Sequence, residues 1–156
     1  MKIRAVLFLA LLSALFPQCL AAAGAFSQGE GTVVPFVPVG RGSYGGVTER
    51  RYVIVRAPDD WVELWAEIKG NVIPVPPPPE VDFSRQAVVA VFQGLQRSGG
   101  YSISVEAIIE TGDRIEVEVR EQEPGPRNLV TMALTSPWEA VAFPAPDKPV
   151  LFTIAP

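Results

Sequence analysis

The chain has 156 residues, 13 basic and 17 acidic, a net charge of −4, no histidine and one cysteine. The missing histidine excludes a Ser-His-Asp triad, a Cys-His pair and a histidine-ligated zinc site. The acidic balance, with no basic cluster, argues against nucleic acid and against an anionic membrane surface as partners.

Met1 to Ala23 has the form of a secretory signal: Lys2 and Arg4 make a basic start, Ala5 to Phe16 an apolar centre, and Ala21-Ala22-Ala23 an A-x-A cleavage site. The apolar run is shorter than the ~20 residues that a membrane span needs, so no membrane insertion is expected after cleavage. Phe16-Pro17-Gln18 is a poor lipobox before Cys19, which disfavours a lipid anchor there. The protein is therefore expected to be exported, to the periplasm or beyond. Loss of Cys19 with the signal leaves a domain that no disulfide can hold. Without Lys2 and Arg4 the net charge falls from −4 to about −6. The sequence divides into a signal (1–23), a flexible N-terminal arm with an edge strand (24–47), and one domain (48–156).

Thr32 to Val39 alternates apolar residues with Pro35 and Pro38, which cannot donate to a ladder, so it is an edge strand at best. Gly40 to Gly46 is expected to be a flexible loop with Tyr44 exposed. Its glycines lack the strand-to-helix context of a dinucleotide site. Arg51 to Arg56 predicts a short buried strand. Asp60 followed by Glu63 predicts a capping box at a helix start. Trp61, Leu64, Trp65 and Ile68 fall on one helical face, Lys69 suits the negative end, and Gly70 suits a left-handed C′ position. Two tryptophans on one face would serve a sugar platform, but that spacing more often marks core. Pro74 and Pro76 to Pro79 predict a stiff extended connector.

Gln86 to Phe92 is almost wholly apolar and predicts a central strand buried on both faces. Gly99 to Glu123 then carries the clearest signal in the chain. Tyr101, Ile103, Val105, Ala107 and Ile109 alternate with polar residues, Thr111-Gly112-Asp113 turns, and Ile115, Val117 and Val119 alternate again. A period of two means a hairpin with one dry and one wet face. Its dry face is expected to pack on Trp61, Leu64, Trp65 and Ile68. Leu129 to Leu134 is strand or irregular; Pro137 to Phe143 and Val150 to Ile154 predict two more strands. The sum is an α+β fold: a mostly antiparallel, β-sandwich-like domain with one amphipathic helix packed on it.

Glu106, Glu110, Glu116 and Glu118 share the hairpin's wet face. A glycosidase-type pair needs a cleft and a carboxylate held protonated, and a flat solvated face offers neither. No calcium loop of the Asp-x-Asp-x-Asp-Gly type is present. No catalytic residue, metal or cofactor is expected, and the protein is not expected to be an enzyme.

Phe92-Gln93-Gly94, Ser98-Gly99-Gly100-Tyr101-Ser102-Ile103-Ser104-Val105 and, later, Leu134-Thr135-Ser136-Pro137-Trp138-Glu139-Ala140-Val141-Ala142-Phe143-Pro144 resemble the two blocks of the PrcB C-terminal domain family. Ser98 stands where that family's turn has threonine, and Trp138 where a smaller or tyrosine-like residue is common. The resemblance implies an exported, non-catalytic accessory domain. The namesake member is a lipoprotein subunit that associates with a secreted subtilisin-like protease, so the implied partner is another protein, a secreted protease by that precedent. The poor lipobox departs from the pattern. The implied contact surface is Ser98, Gly99, Gly100 and Tyr101 with Pro137 and Trp138. The same residues also read as an ordinary Gly-Gly turn with a half-buried tyrosine. A fainter likeness, an aromatic after glycine in one loop and after proline in another, is to chagasin-like cysteine-protease inhibitors. A carbohydrate- or envelope-binding module using Trp and Tyr is the third alternative.

Overall fold

The computed structural model describes residues 31–155; the signal segment, Cys19 and the start of the N-terminal arm lie outside them. Among the described residues there are eight strands and one helix: β1 (Thr32–Val33), β2 (Val37–Gly42), β3 (Arg50–Val55), α1 (Pro58–Ile68), β4 (Gln86–Gln93), β5 (Ser102–Glu110), β6 (Ile115–Gln122), β7 (Trp138–Pro144) and β8 (Val150–Ile154). They form two four-stranded sheets, ordered β1-β5-β6-β8 and β2-β7-β4-β3. Every pairing is antiparallel except that of β8 with β6. This is the expected α+β, sheet-rich architecture. The prolines of the 32–39 stretch have the expected consequence: β1 and β2 are each the edge of a sheet.

The layering follows from β4 and β7. Their side chains are buried on both faces, so their sheet must be a middle layer. Ala87, Val89, Val91, Val141 and Phe143 face the hairpin sheet, together with Ile103, Val105, Ile108, Ile115, Val117 and Val119. Val88, Ala90, Phe92, Trp138, Ala140 and Ala142 face the helix, against Trp61, Leu64, Trp65 and Ile68. The hairpin's dry face therefore does not meet α1, as its amphipathic pattern suggested. The β4/β7 sheet stands between them, because its two strands have no wet face to leave uncovered.

The hairpin contains a second departure. Pairing runs Val105↔Val119 and then Ala107↔Glu118, so Glu106 is an extra residue on β5. A bulge of this kind reverses the parity of everything after it. Ile108 is buried in place of Ile109, and Ala107 and Ile109 are only half-buried.

The helix begins three residues, nearly one turn, earlier than the capping box implied. Ala57 is its N-cap, without a side-chain cap, and Pro58 opens the first turn. Proline's fixed φ is preorganised there and its missing N–H costs nothing, while Asp59 and Asp60 complement the positive end of the dipole. Gly70 is not left-handed; among the described residues only Gly94 and Gly100 have positive φ. A special C′ residue is unnecessary because Gly46 N–H, from the loop after β2, donates to Ile68 O at 2.8 Å. Lys69 lies over the rings of Trp65 and Trp138, 5.0 and 4.9 Å from their centroids. The proline-rich segment runs back along the helix. Its carbonyls, unused in an extended proline conformation, accept from the indoles: Trp61 Nε1 donates to Pro79 O and Trp65 Nε1 to Pro76 O, both at 3.0 Å.

Two further expectations change. β3 is the edge of its sheet and mostly half-buried, rather than a buried strand. The glycines at 40–46 are not a free loop: Gly40 and Gly42 pair with β7 opposite Ala140 and Trp138. A Cβ on Gly40, Gly42 or Gly45 would stand 2.8–2.9 Å from the Trp138 ring. The run is glycine-rich because an indole occupies the space that side chains would need. Tyr44 is exposed as expected.

Candidate binding cleft

Both stretches implied by the resemblance come to one end of the sandwich. Gln96 and Thr135 exchange backbone hydrogen bonds at 2.7 and 3.0 Å, Gly99 N–H donates to Thr131 O at 2.9 Å, and Thr135 Oγ1 donates to Ser98 O at 2.8 Å. The Gly-Gly turn is packed: a Cβ on Gly99 would meet Thr131 Oγ1 at 2.4 Å, and one on Gly100, at φ +88°, would meet Pro124 at 2.8 Å. Ser98 and Tyr101 are half-buried and Gly100 exposed, whereas Gly99, Pro137 and Trp138 are buried. The Trp138 ring packs edge-on against Trp65, with centroids 5.9 Å apart. Gly99 and Trp138 are thus buried supports of this end of the sandwich and are not exposed on its surface. All three tryptophans of the chain are buried, and none offers a flat face to a sugar.

Beside this loop lies a cleft of about 380 Å³, bordered by Arg41, Tyr101, Ile103, Trp138 and Glu139 among others. Its origin is the brevity of β1. Val34 N–H makes a last bond to Ile108 O at 2.8 Å. Pro35, without an N–H, then leads the chain across to the other sheet. The N-terminal half of β5 is left without a neighbour on that side. Glu139 partly replaces the missing strand. It points between the sheets from β7, is 7% exposed, and accepts the Val105 N–H at 2.7 Å. Arg41 lies directly opposite Glu139 across β2 and β7. It is exposed and has no ion-pair partner among the described residues.

Sequence reasoning missed Glu139 and Arg41. The available signal was a carboxylate inside the apolar run from Trp138 to Phe143, since a buried charged group must find a hydrogen-bond partner. Removing that partner has a testable consequence. Glu139→Ala is expected to destabilise the fold by about 1–3 kcal/mol, because it strands the Val105 N–H. Glu139→Gln, which keeps an acceptor oxygen, should retain most of that stability in urea unfolding. Equal losses from the two would show that the hydrogen bond is not what Glu139 contributes.

Three of the four wet-face glutamates are each engaged with a cation, and Glu118 has no ion pair among the described residues. Glu106 pairs with Arg120 at 3.0 Å, Glu110 with Lys148 at 2.6 Å and Glu116 with Arg114 at 2.6 Å. The Arg120 hydrogen bond holds the Glu106 carboxyl below the usual carboxylate range. Exposed pairs of this kind add little stability. At the β3/β6 side, Tyr52 donates to Glu121, which also receives Arg50 Nε at 2.8 Å. Burial, and then the bond to Glu121, push the Tyr52 phenol above its ordinary range. No group of three acidic or cysteine side chains is placed to hold a metal among the described residues. No described helix is long and apolar enough to cross a membrane.

Residues 87–144 match the family model described as PrcB C-terminal. The match runs from the second residue of β4 to the last of β7. It therefore takes in the central strands of both sheets, the Gly-Gly turn, and every cleft residue except Arg41, Gly42 and Ser43. No curated protein and no solved structure matches the chain.

Proposed function

We propose that this chain, whose residues 87–144 are those of a PrcB C-terminal segment, is an exported, non-catalytic accessory protein that binds another protein through the cleft end of its sandwich. The observation that carries this reading is the coincidence of the family match with the cleft: the matched strands build its floor and one wall. The partner class follows from the family resemblance, in which the namesake subunit accompanies a secreted subtilisin-like protease. The chemistry of the chain supports a binder over an enzyme. Three of the four wet-face carboxylates of the hairpin are neutralised by cations on an open face, and the one carboxylate in the cleft, Glu139, is occupied by a backbone N–H.

The test is affinity recovery of the tagged, exported protein from its native envelope. A secreted serine protease should co-purify, and Tyr101→Ala, which removes a half-exposed ring from the cleft wall, should reduce its recovery several-fold. Recovery of no protease, or sub-micromolar inhibition of papain by the purified protein, would contradict the reading.

A further inference from the structure

The cleft has the attributes of a strand-shaped vacancy, and the geometry points to a specific occupant: an extended segment of a partner polypeptide, adding to the hairpin sheet along the N-terminal half of β5 and placing an acidic group on Arg41. This inference rests on the binding reading above and specifies its chemistry.

Val105 donates its N–H to Glu139, away from β6. In an antiparallel ladder the backbone groups of residues two apart point the same way, so the N–H and C=O of Ile103 also face the cleft. Tyr101, Ser102, Ile103 and Ser104 all line it, and the side chain of Ile103 is turned into the core. What β5 presents here is backbone. The Ile103 N–H and C=O are therefore in place for an extended peptide, as at an unpaired sheet edge, while the Val105 N–H is already held by Glu139. β1 already shows that this edge accepts an antiparallel strand: Thr32↔Glu110 and Val33↔Ile109 pair farther along the same side. An incoming segment would continue the line that β1 abandons at Val34. From Ser102 to the bulge at Glu106 there is room for about five residues at ~3.3 Å each.

Two features select a single peptide strand over a second copy of the protein. Arg41, Gly42 and Ser43 rise on the opposite side and leave a trough about 380 Å³ in volume. That space suits one strand with its side chains, not the edge of another sandwich. Arg41 is also a cation with no ion-pair partner among the described residues, in a chain of net charge −4. It rewards a carboxylate on the occupant, which a peptide can carry at the required position.

The experiment is selection of random heptapeptides displayed on phage against the purified exported protein, followed by amide NMR with the selected peptides made synthetically. Selected peptides should carry one recurrent Asp or Glu, shift and protect the Ile103 amide, and lose binding when alternate backbone nitrogens are methylated. Arg41→Glu, at an exposed site that the fold does not need, should weaken them at least tenfold and redirect selection to Lys or Arg at that position. Failure to select any peptide, selection of peptides that perturb only other amides, or self-association that protects Ile103 without peptide would each overturn the inference. The two proposals fail separately. If a protease is recovered equally by the Arg41→Glu protein, the edge is not its site although the accessory reading stands. If peptides bind as described but no protease is ever recovered, the edge stands and the accessory reading falls.

Discussion

Trp138→Ala will lower the free energy of unfolding by about 3–5 kcal/mol, the range for deleting a fully enclosed aromatic ring. The indole is 2% exposed and lies at a junction of three elements. On one side it meets Trp65 of α1 and the ammonium of Lys69. On the other it fills the space above Gly40, Gly42 and Gly45. No neighbour can swing in to refill the hole, because the residues beneath it have no side chains. The loss should therefore fall toward the upper part of the range. The reciprocal change is also costly: Gly42→Ala brings a Cβ to 2.9 Å from Trp138 Nε1 and must displace the ring or the strand. Urea unfolding followed by far-ultraviolet circular dichroism reads both. A loss below about 1 kcal/mol for Trp138→Ala would mean that the indole is not enclosed as described.

Neighbouring isoleucines on β5 should behave as opposites. Ile108→Ala is expected to cost about 2–5 kcal/mol, as a buried branched side chain replaced by a methyl. Ile109→Ala should cost less than about 1 kcal/mol, as a surface change. Ile108 is fully enclosed among Val117, Val89 and the rest of the inter-sheet core. Ile109 stands half-buried on the outer face, between Val33 and Glu116. Uninterrupted alternation from Tyr101 assigns these roles the other way round. Urea unfolding of the two variants decides where the parity changes, and a larger loss from Ile109→Ala would place Ile109 inside and remove the bulge at Glu106.

That reversal marks the boundary of what was legible in the sequence. Periodicity identified the hairpin, its turn and the dry residues before the bulge. The run from Gln86 to Phe92 revealed its own double burial, and Trp61, Leu64, Trp65 and Ile68 revealed the helix face. Each of these is a local pattern, written in residues that are neighbours along the chain. The bulge was not legible, because Glu106 extends the apparent alternation without a glycine or proline to break it. The order of the layers was hidden for a different reason. Three apolar surfaces were evident, but which two meet depends on the middle sheet's having two dry faces, and one of its two central strands is β7, about fifty residues after β4. The cleft was hidden twice over. It arises where β1 stops, and its principal polar group, Glu139, interrupts an apolar strand of the other sheet to serve a backbone N–H across the gap. The resemblance to the PrcB C-terminal family nonetheless picked out two stretches that the fold brings to one end of the molecule. Its Gly-Gly-Tyr turn and its Ser-Pro-Trp block are sequence-distant, yet they are held together through Gln96, Ser98, Thr131 and Thr135.

If that end is the working surface, it should be what a partner touches in the native envelope. A photoreactive amino acid at Ser102, exposed on the cleft, should crosslink to the protease recovered with the protein, and its attachment site should lie in an extended segment bearing Asp or Glu. The same group at Thr153, exposed on β8 at the opposite edge of the hairpin sheet, should give no such product. Crosslinking from Thr153 and none from Ser102 would contradict the account.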